Sequence, residues 1–280
     1  MFEIVTRKEL NPTVTLIEVM APRVARKAEP GQFIILRADE NGERVPLTVA
    51  DFDRERGTVT VIFQVVGGST EKLNHKKVGD SLADFVGPLG KPTHTQGLRK
   101  VAIVAGGVGS AIAFPVAKKL HSLGCEVHAI VGFRSKDLVI LEQEFAANST
   151  LFKRMSDDGS WGEQGLVTNA LQALIDAGEQ YDEVITIGPL IMMKFVCQLA
   201  TKHGIRSVAS MNPIMIDGIG MCGGCRLTVG GKTVFACVDG PEFDGALIDF
   251  DEAIERSSMY RGFERHRHDE ACNLFKGGAE

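Results

Sequence analysis

At 280 residues the chain is longer than one average domain and long enough to bury more than one core. Hydrophobic residues make up 44% and charged residues 24%, a globular composition that argues against both a disordered chain and a membrane-embedded one. The net charge of -5 and the lack of a basic stripe interleaved with aromatics exclude a nonspecific nucleic-acid binder.

The opening MFEIVTRKEL has no basic region followed by an apolar run, and no stretch of about eighteen apolar residues occurs, so a cytoplasmic protein with no membrane segment is expected. From there to about Gly90 the sequence is strand-like. TVTLIEVM, QFIILRA and TVTVIFQVV are rich in β-branched residues and are separated by Pro30-Gly31, Asn41-Gly42 and Arg56-Gly57. This predicts an antiparallel barrel or sandwich over 1–96. One helix is expected within it, STEKLNHKK, entered through Gly67 and Gly68 with Ser69 as its cap. GPLGKPTHTQGLRK reads as a linker.

From Lys100 the rhythm changes to short buried strands alternating with amphipathic helices. KVAIVAG, CEVHAIVGF, TLFKRMS, YDEVITIG and RSVAS are the strands; AIAFPVAKKLHSLG, EQEFAAN, LVTNALQALIDAG and LIMMKFVCQLATKHG are the helices. Such alternation predicts a parallel sheet with crossover helices, a nucleotide-binding α/β domain over 97–210. The segment 211–250 is dense in glycine and cysteine, with a hairpin expected about Gly230-Gly231, and is too small to fold on its own core. The remainder, 251–280, reads as an exposed or partner-docking tail rather than a metal site made by His266 and His268. The fold class is therefore mixed β and α/β.

The cysteines carry the most specific chemistry. Without an export signal the six are not expected to form disulfides, and Cys222, Cys225 and Cys237 crowd into one segment. Plant-type [2Fe–2S] sites place a ligand, then four residues, then a close pair, and a distant fourth. Asp217 stands in that first slot, so three thiolates and one carboxylate are the expected metal ligands. Neighbouring glycines let backbone amides approach sulfur, which favours the charge of a reduced cluster. A zinc site with the same four donors is the alternative, although structural zinc more often uses two close pairs or histidine. Cys125, Cys197 and Cys272 read as ordinary buried or tail thiols.

Two further motifs suit nucleotides. RVPLTVAD offers Arg44 to a pyrophosphate and a strand backbone with Thr48 to a ring edge, and FQVVGGST opens a helix whose first amides, at Ser69 and Thr70, suit phosphate. VAIVAGGVGS is a strand, glycine turn and helix without the GxGxxG fingerprint. Asp157 and Asp158 suit ribose hydroxyls or simple turn capping, and Gly188-Pro189 lets a flat ring lie close. Met192 and Met193 read as helix packing.

Taken in order, these motifs resemble the ferredoxin-reductase-like electron-transfer subunits up to about Phe250. That group includes the small subunit of NADH-dependent ferredoxin:NADP oxidoreductase and the dihydroorotate dehydrogenase electron-transfer subunit. The resemblance implies a barrel that binds FAD through Arg44, Pro46, Leu47, Thr48 and Val49, and through Phe63, Gln64, Val65, Gly67, Gly68, Ser69 and Thr70. It implies NAD(H) contacts at Gly106, Gly107, Val108, Gly109, Asp157, Asp158, Gly188 and Pro189, with Asp217, Cys222, Cys225 and Cys237 on the cluster. The dihydroorotate subunits carry cysteine where this chain has Asp217, whereas aspartate ligation marks the ferredoxin:NADP small subunits, so Asp217 points to the latter. The resemblance also implies a heterodimer with a larger flavoprotein carrying its own FAD, iron–sulfur clusters and NADP(H) site. Ferredoxin would be reached through that partner, in flavin-based electron bifurcation. Hydride transfer needs stacking and orientation more than an acid–base pair, so no separate catalytic residue is expected.

Overall fold

The structure, a computed structural model, describes residues 2–259. The tail beyond them, with the two histidines and Cys272, lies outside the described residues. The N-terminal strands are β1 (Phe2–Asn11), β2 (Val14–Met20), β3 (Phe33–Arg37), β4 (Val45–Asp53), β5 (Thr58–Gln64), β6 (Ser81–Leu82) and β7 (Asp84–Leu89). They form one antiparallel sheet in the order β6-β1-β2-β5-β4-β3-β7. Only Ala83 separates β6 from β7, yet they end the sheet on opposite sides, so it curls into a nearly closed barrel. Alternate residues, among them Ile17, Val19, Val59, Val61 and Phe63, fill its interior. The strand β4 changes partner along its length: Val45 to Thr48 pair with β3, and from Val49 onward it pairs with β5, with an irregularity between Val49 and Asp51.

Two details depart from the sequence reading. A short helix α1 (Pro22–Ala25) joins β2 to β3, so the barrel has two helices rather than one. Gly87 to Leu89, expected in a linker, continue β7 against β3, which moves the true connection to Gly90 and beyond. The second barrel helix, α2 (Gly68–Asn74), has Gly67 rather than Ser69 at its N-cap. Thr70 Oγ1 accepts the Val66 and Gly67 amides there, because glycine has no side chain to cap with.

The second sheet contains β8 (Lys100–Gly106), β9 (Glu126–Phe133), β10 (Leu151–Ser156), the two-residue β11 (Glu163–Gln164), β12 (Glu183–Ile187) and β13 (Ser207–Ser210), all parallel. Its crossover helices are α3 (Gly109–Ser122), α4 (Glu142–Ala147), α5 (Val167–Asp176) and α6 (Leu190–Lys202). The order β11-β10-β9-β8-β12-β13 reverses direction between β8 and β12, which opens a crevice at their C-terminal ends.

In the last segment, β14 (Arg226–Val229) and β15 (Lys232–Phe235) form the expected hairpin, with Gly230 and Gly231 at φ 58° and 73°, the left-handed pair a two-residue turn requires. Then follow α7 (Ala236–Asp239), β16 (Glu242–Asp244) and α8 (Phe250–Ser258). The strand β16 joins the second sheet, antiparallel to β13.

Buried side chains bind the parts together. Val14, Ala50 and Ile62 of the barrel share a core with Ala113, Val116 and Ala117 of α3. Lys118 also reaches Asp51 at 2.7 Å across this joint, but both are largely exposed. Such a pair contributes about 0–1 kcal/mol, against roughly 1.5–3 kcal/mol for each large buried apolar side chain, so packing sets the joint. A second shared core gathers Phe33 and Ile35 of β3, Met193 and Cys197 of α6, Ala209, and Met215, Cys225, Leu227 and Cys237 of the last segment. That segment, too small to bury a core alone, borrows one from both neighbours. Among the described residues no helix is long and apolar enough to cross a membrane.

Candidate functional site

A cleft of about 1460 Å³ runs between the barrel and the end of the parallel sheet. On the sheet side its floor is two strand–glycine–helix turns set against each other, where β8 enters α3 and β12 enters α6. Gly107 sits at φ 55° and donates its N–H to the Gly132 carbonyl. A Cβ at Gly109 would lie 2.6 Å from the Ile187 oxygen and 2.7 Å from the Gly188 Cα, both backbone atoms. Only glycine lets α3 begin so close to the neighbouring turn, and an open backbone at a helix start suits phosphate. Gly106, Gly107, Val108, Gly109, Gly188 and Pro189 all line the cleft. Met193 is buried as expected, but Met192 lines the cleft, its thioether filling the space that side chains at Gly106 or Gly188 would take.

The barrel contributes Pro46, Leu47 and Thr48 from β4, Phe63 and Gln64 from the end of β5, and Thr70 from the first turn of α2. The other expected residues lie elsewhere. Val49 is fully buried in the barrel core and Val65 packs against it. Gly67 and Gly68 open α2, while Ser69 turns away and donates to Glu43 Oε2 at 2.7 Å. Arg44, expected to face a pyrophosphate, directs its Nε to the Ile216 carbonyl at 2.9 Å.

The two adjacent aspartates separate. Asp157 lines the cleft, whereas Asp158 accepts the Ser160 N–H at 2.9 Å and hydroxyl at 2.6 Å. Those two bonds hold the Asp158 carboxyl below its usual range, so it is a turn-capping residue. The sequence reading missed Arg134, at the end of β9, and Leu166, Phe195, Met211 and Met215, all in the cleft wall. No local motif marks them, because they meet only when three segments pack. Arg134 alone had a signal, a cation at the C-terminal end of a parallel strand.

The cysteine loop lies beyond this wall. Asp217 Oδ1 accepts the Ile219 N–H at 3.1 Å and Oδ2 the Cys222 N–H at 2.6 Å. Burial would raise this carboxyl, but those amide bonds outweigh it and hold it below the ordinary carboxylate range. The Gly224 N–H points at Cys222 Sγ and the Cys237 N–H at Cys225 Sγ, each at 3.5 Å. Burial, then the neighbouring Cys225 thiol, pushes Cys237 up to about 12, with Asp217 adding to the effect. Gly218, Gly220 and Gly223 are all left-handed, the conformation that lets a loop wrap tightly.

The neighbouring Cys225 and Cys237 thiols, the Asp217 carboxylate beside Cys222 and amides aimed at sulfur fit an iron–sulfur cluster: metal would remove the thiol protons and the amides would offset the added charge. Cys125 and Cys197, by contrast, are buried thiols outside this loop; Cys197 lies on α6 in the core shared with Cys225 and Cys237, and burial pushes it up to about 11.

Another set of donors, Glu126, His128 and Glu179, brings its ligand atoms within 4.8 Å of one another. It lies at the start of the parallel strands, away from the cleft. The Lys100 ammonium bridges both carboxylates, at 2.7 Å from Glu126, and already supplies the positive charge a cation would bring.

A nearly closed antiparallel barrel, a parallel α/β sheet, a cleft between them and an iron–sulfur segment beyond define a ferredoxin-reductase-like electron-transfer protein. Comparison with known proteins agrees. Residues 212–249 match the iron-sulfur cluster binding domain of dihydroorotate dehydrogenase B. The chain is 43% identical to the dihydroorotate dehydrogenase B (NAD(+)) electron transfer subunit homolog of Thermotoga maritima, over 94% of this chain and 93% of that one. It is 48% identical to an uncharacterized protein of Clostridium beijerinckii, over 93% and 91% of the two chains. A solved structure of NADH-dependent reduced ferredoxin-NADP oxidoreductase, studied for flavin-based electron bifurcation, superposes with a TM-score of 0.92 at 40% identity, covering 96% of this chain and 97% of that one. The chain belongs to the family of dihydroorotate dehydrogenase B electron-transfer subunits.

Proposed function

We propose that this chain is the electron-transfer subunit of an NADH-dependent ferredoxin:NADP oxidoreductase, acting with a larger flavoprotein subunit in the cytoplasm. One observation carries the reading: residues that line the long cleft belong to the same buried core as two cysteines of the four-donor loop. Phe33, Met211 and Met215 line the cleft and also belong to the core that holds Cys225 and Cys237. Such an arrangement suits two redox groups that must exchange electrons while keeping water out between them.

FAD in the cleft would take hydride from NADH, and a [2Fe–2S] cluster in the loop would relay single electrons. The chain's own residues supply position. Gly106 to Gly109 and Gly188 bring open backbone to the nicotinamide nucleotide, and Pro46 to Thr48 offer a strand edge to the flavin ring. Asp217, Cys222, Cys225 and Cys237 would hold the cluster. Leu166, Ile191 and Phe195, exposed along the cleft, are apolar edges that bound cofactors would cover. The Asp157 carboxylate would repel a 2′-phosphate, which supports NADH over NADPH. Cys222 is exposed, and Ile214, Ile216, Ile219, Met221 and Val238 form an exposed apolar collar on the same segment, suited to a partner subunit.

The competing reading, the electron-transfer subunit of a dihydroorotate dehydrogenase, is favoured by the match over 212–249. Asp217 in the first ligand slot favours the ferredoxin:NADP enzyme, and the subunit that co-purifies separates the two. The visible spectrum of protein purified without oxygen tests the common core. Flavin and iron–sulfur bands that bleach on adding NADH are expected; a colourless protein containing zinc would refute the proposal.

A further inference from the structure

Arg44 occupies an unusual place for a residue at the flavin end of the barrel. It directly precedes β4, whose Val45 to Thr48 line the cleft, yet its Nε donates to the carbonyl of Ile216, 172 residues along the chain. That carbonyl belongs to the peptide leading into Asp217. Arg44 is exposed and forms no ion pair among the described residues, so its fold-stabilising role is small and its outer nitrogens stay uncommitted.

We propose that Arg44 is a positioning residue that ties the cluster-ligand loop to the flavin-side wall. The proposal rests on reading Asp217 and the three cysteines as cluster ligands. The loop is held from the barrel at two points. At one, Arg44 grips the Ile216 carbonyl. At the other, Gly218, at φ 78°, lies so close to β3 and β7 that a Cβ would come within 2.7 Å of the Leu89 methyl and 2.8 Å of the Ile35 methyl.

Between these points sits Asp217, its two oxygens taken by the Ile219 and Cys222 amides. Fixing the Ile216 peptide therefore fixes the direction from which the carboxylate meets the metal. Release of the Arg44 bond would leave the Gly218 seat as a pivot. The first-ligand end of the loop could then turn, while Cys225 and Cys237 remain anchored in the shared core.

Lysine at this position would keep a positive charge for any phosphate but lose the planar Nε donor. The test uses FAD- and cluster-loaded protein with FAD added to saturation, comparing wild type with Arg44→Lys and Arg44→Met. Two quantities are read: the rate of iron release to a ferrous chelator and the electron spin resonance of the dithionite-reduced cluster. Both variants are expected to release iron about tenfold faster, the factor expected for loss of one charged hydrogen bond, and to show shifted or broadened resonance. Iron release and resonance matching wild type in both variants, whatever happens to flavin affinity, would overturn the tie. Wild-type protein containing zinc instead of iron would sink the functional reading and this proposal together.

Discussion

The cleft and the cysteine loop are built on opposite plans. The cleft is large, mostly apolar and assembled from residues scattered between Asn11 and Pro241, few of which carry a chemical signature. The loop carries the four proposed donors between Asp217 and Cys237, and its left-handed glycines let the backbone wrap tightly. A site whose chemistry resides in a few side chains fails when one is lost. A site whose chemistry resides in shape and open backbone tolerates side-chain changes but not obstruction.

The largest effect should come from the loop. Cys225→Ser is expected to abolish the cluster, read as loss of bound iron and of the reduced-state resonance, while the flavin to protein ratio stays near wild type. Loss of flavin together with iron would mean that the two sites depend on each other more than their construction suggests.

In the cleft the sensitive point is backbone. Gly109→Ala places a methyl against the Ile187 oxygen and Gly188 Cα, and such overpacking costs about 1–3 kcal/mol. The efficiency of flavin reduction by NADH should fall about 10- to 100-fold, with the cluster's resonance unchanged. A fall no larger than that of Leu47→Ala would show the glycine turn is not the nucleotide's contact.

A smaller effect is expected where the two plans meet. Glu242, in β16, accepts the Thr93 hydroxyl at 2.6 Å, joining the segment that follows the barrel to the last segment. Burial raises its carboxyl to about 7, with Thr93 lowering it and the Glu183 charge raising it. A raised acid favours folding while protonated, so its contribution is full below about 4.5 and lost as pH rises through about 7. The melting temperature of Glu242→Gln should therefore fall less than that of wild type between pH 5 and 8, by about 2–4 °C. Parallel curves would assign the pH dependence elsewhere.

The same contrast explains what the sequence made legible. The five main parallel strands and their helices were readable because each is a local pattern: KVAIVAG is buried on both faces and AIAFPVAKKL has a helical period. The iron–sulfur segment was readable because the spacing of Cys222, Cys225 and Cys237 is a local pattern, and residues 212–249 match a cluster-binding domain. What stayed hidden is non-local. The three-residue β16 becomes a strand only because β13 presents a free edge, and Gly87-Pro88 read as linker although they lie inside β7, between Val86 and Leu89, which both pair with β3. Asp157 and Asp158 are indistinguishable in sequence, and only the turn to Ser160 decides which one faces the cleft. Met211 and Met215 look like ordinary core residues until the barrel and sheet enclose a cavity beside them.

The central claim is the ligand set of three thiolates and one carboxylate. Its most direct test is the electron spin resonance of the reduced cluster in wild type and in Asp217→Cys, with the midpoint potential of each. The predicted result is a cluster retained in the variant, with its resonance shifted and its potential changed. A spectrum and potential indistinguishable from wild type would show that Asp217 does not bind the metal.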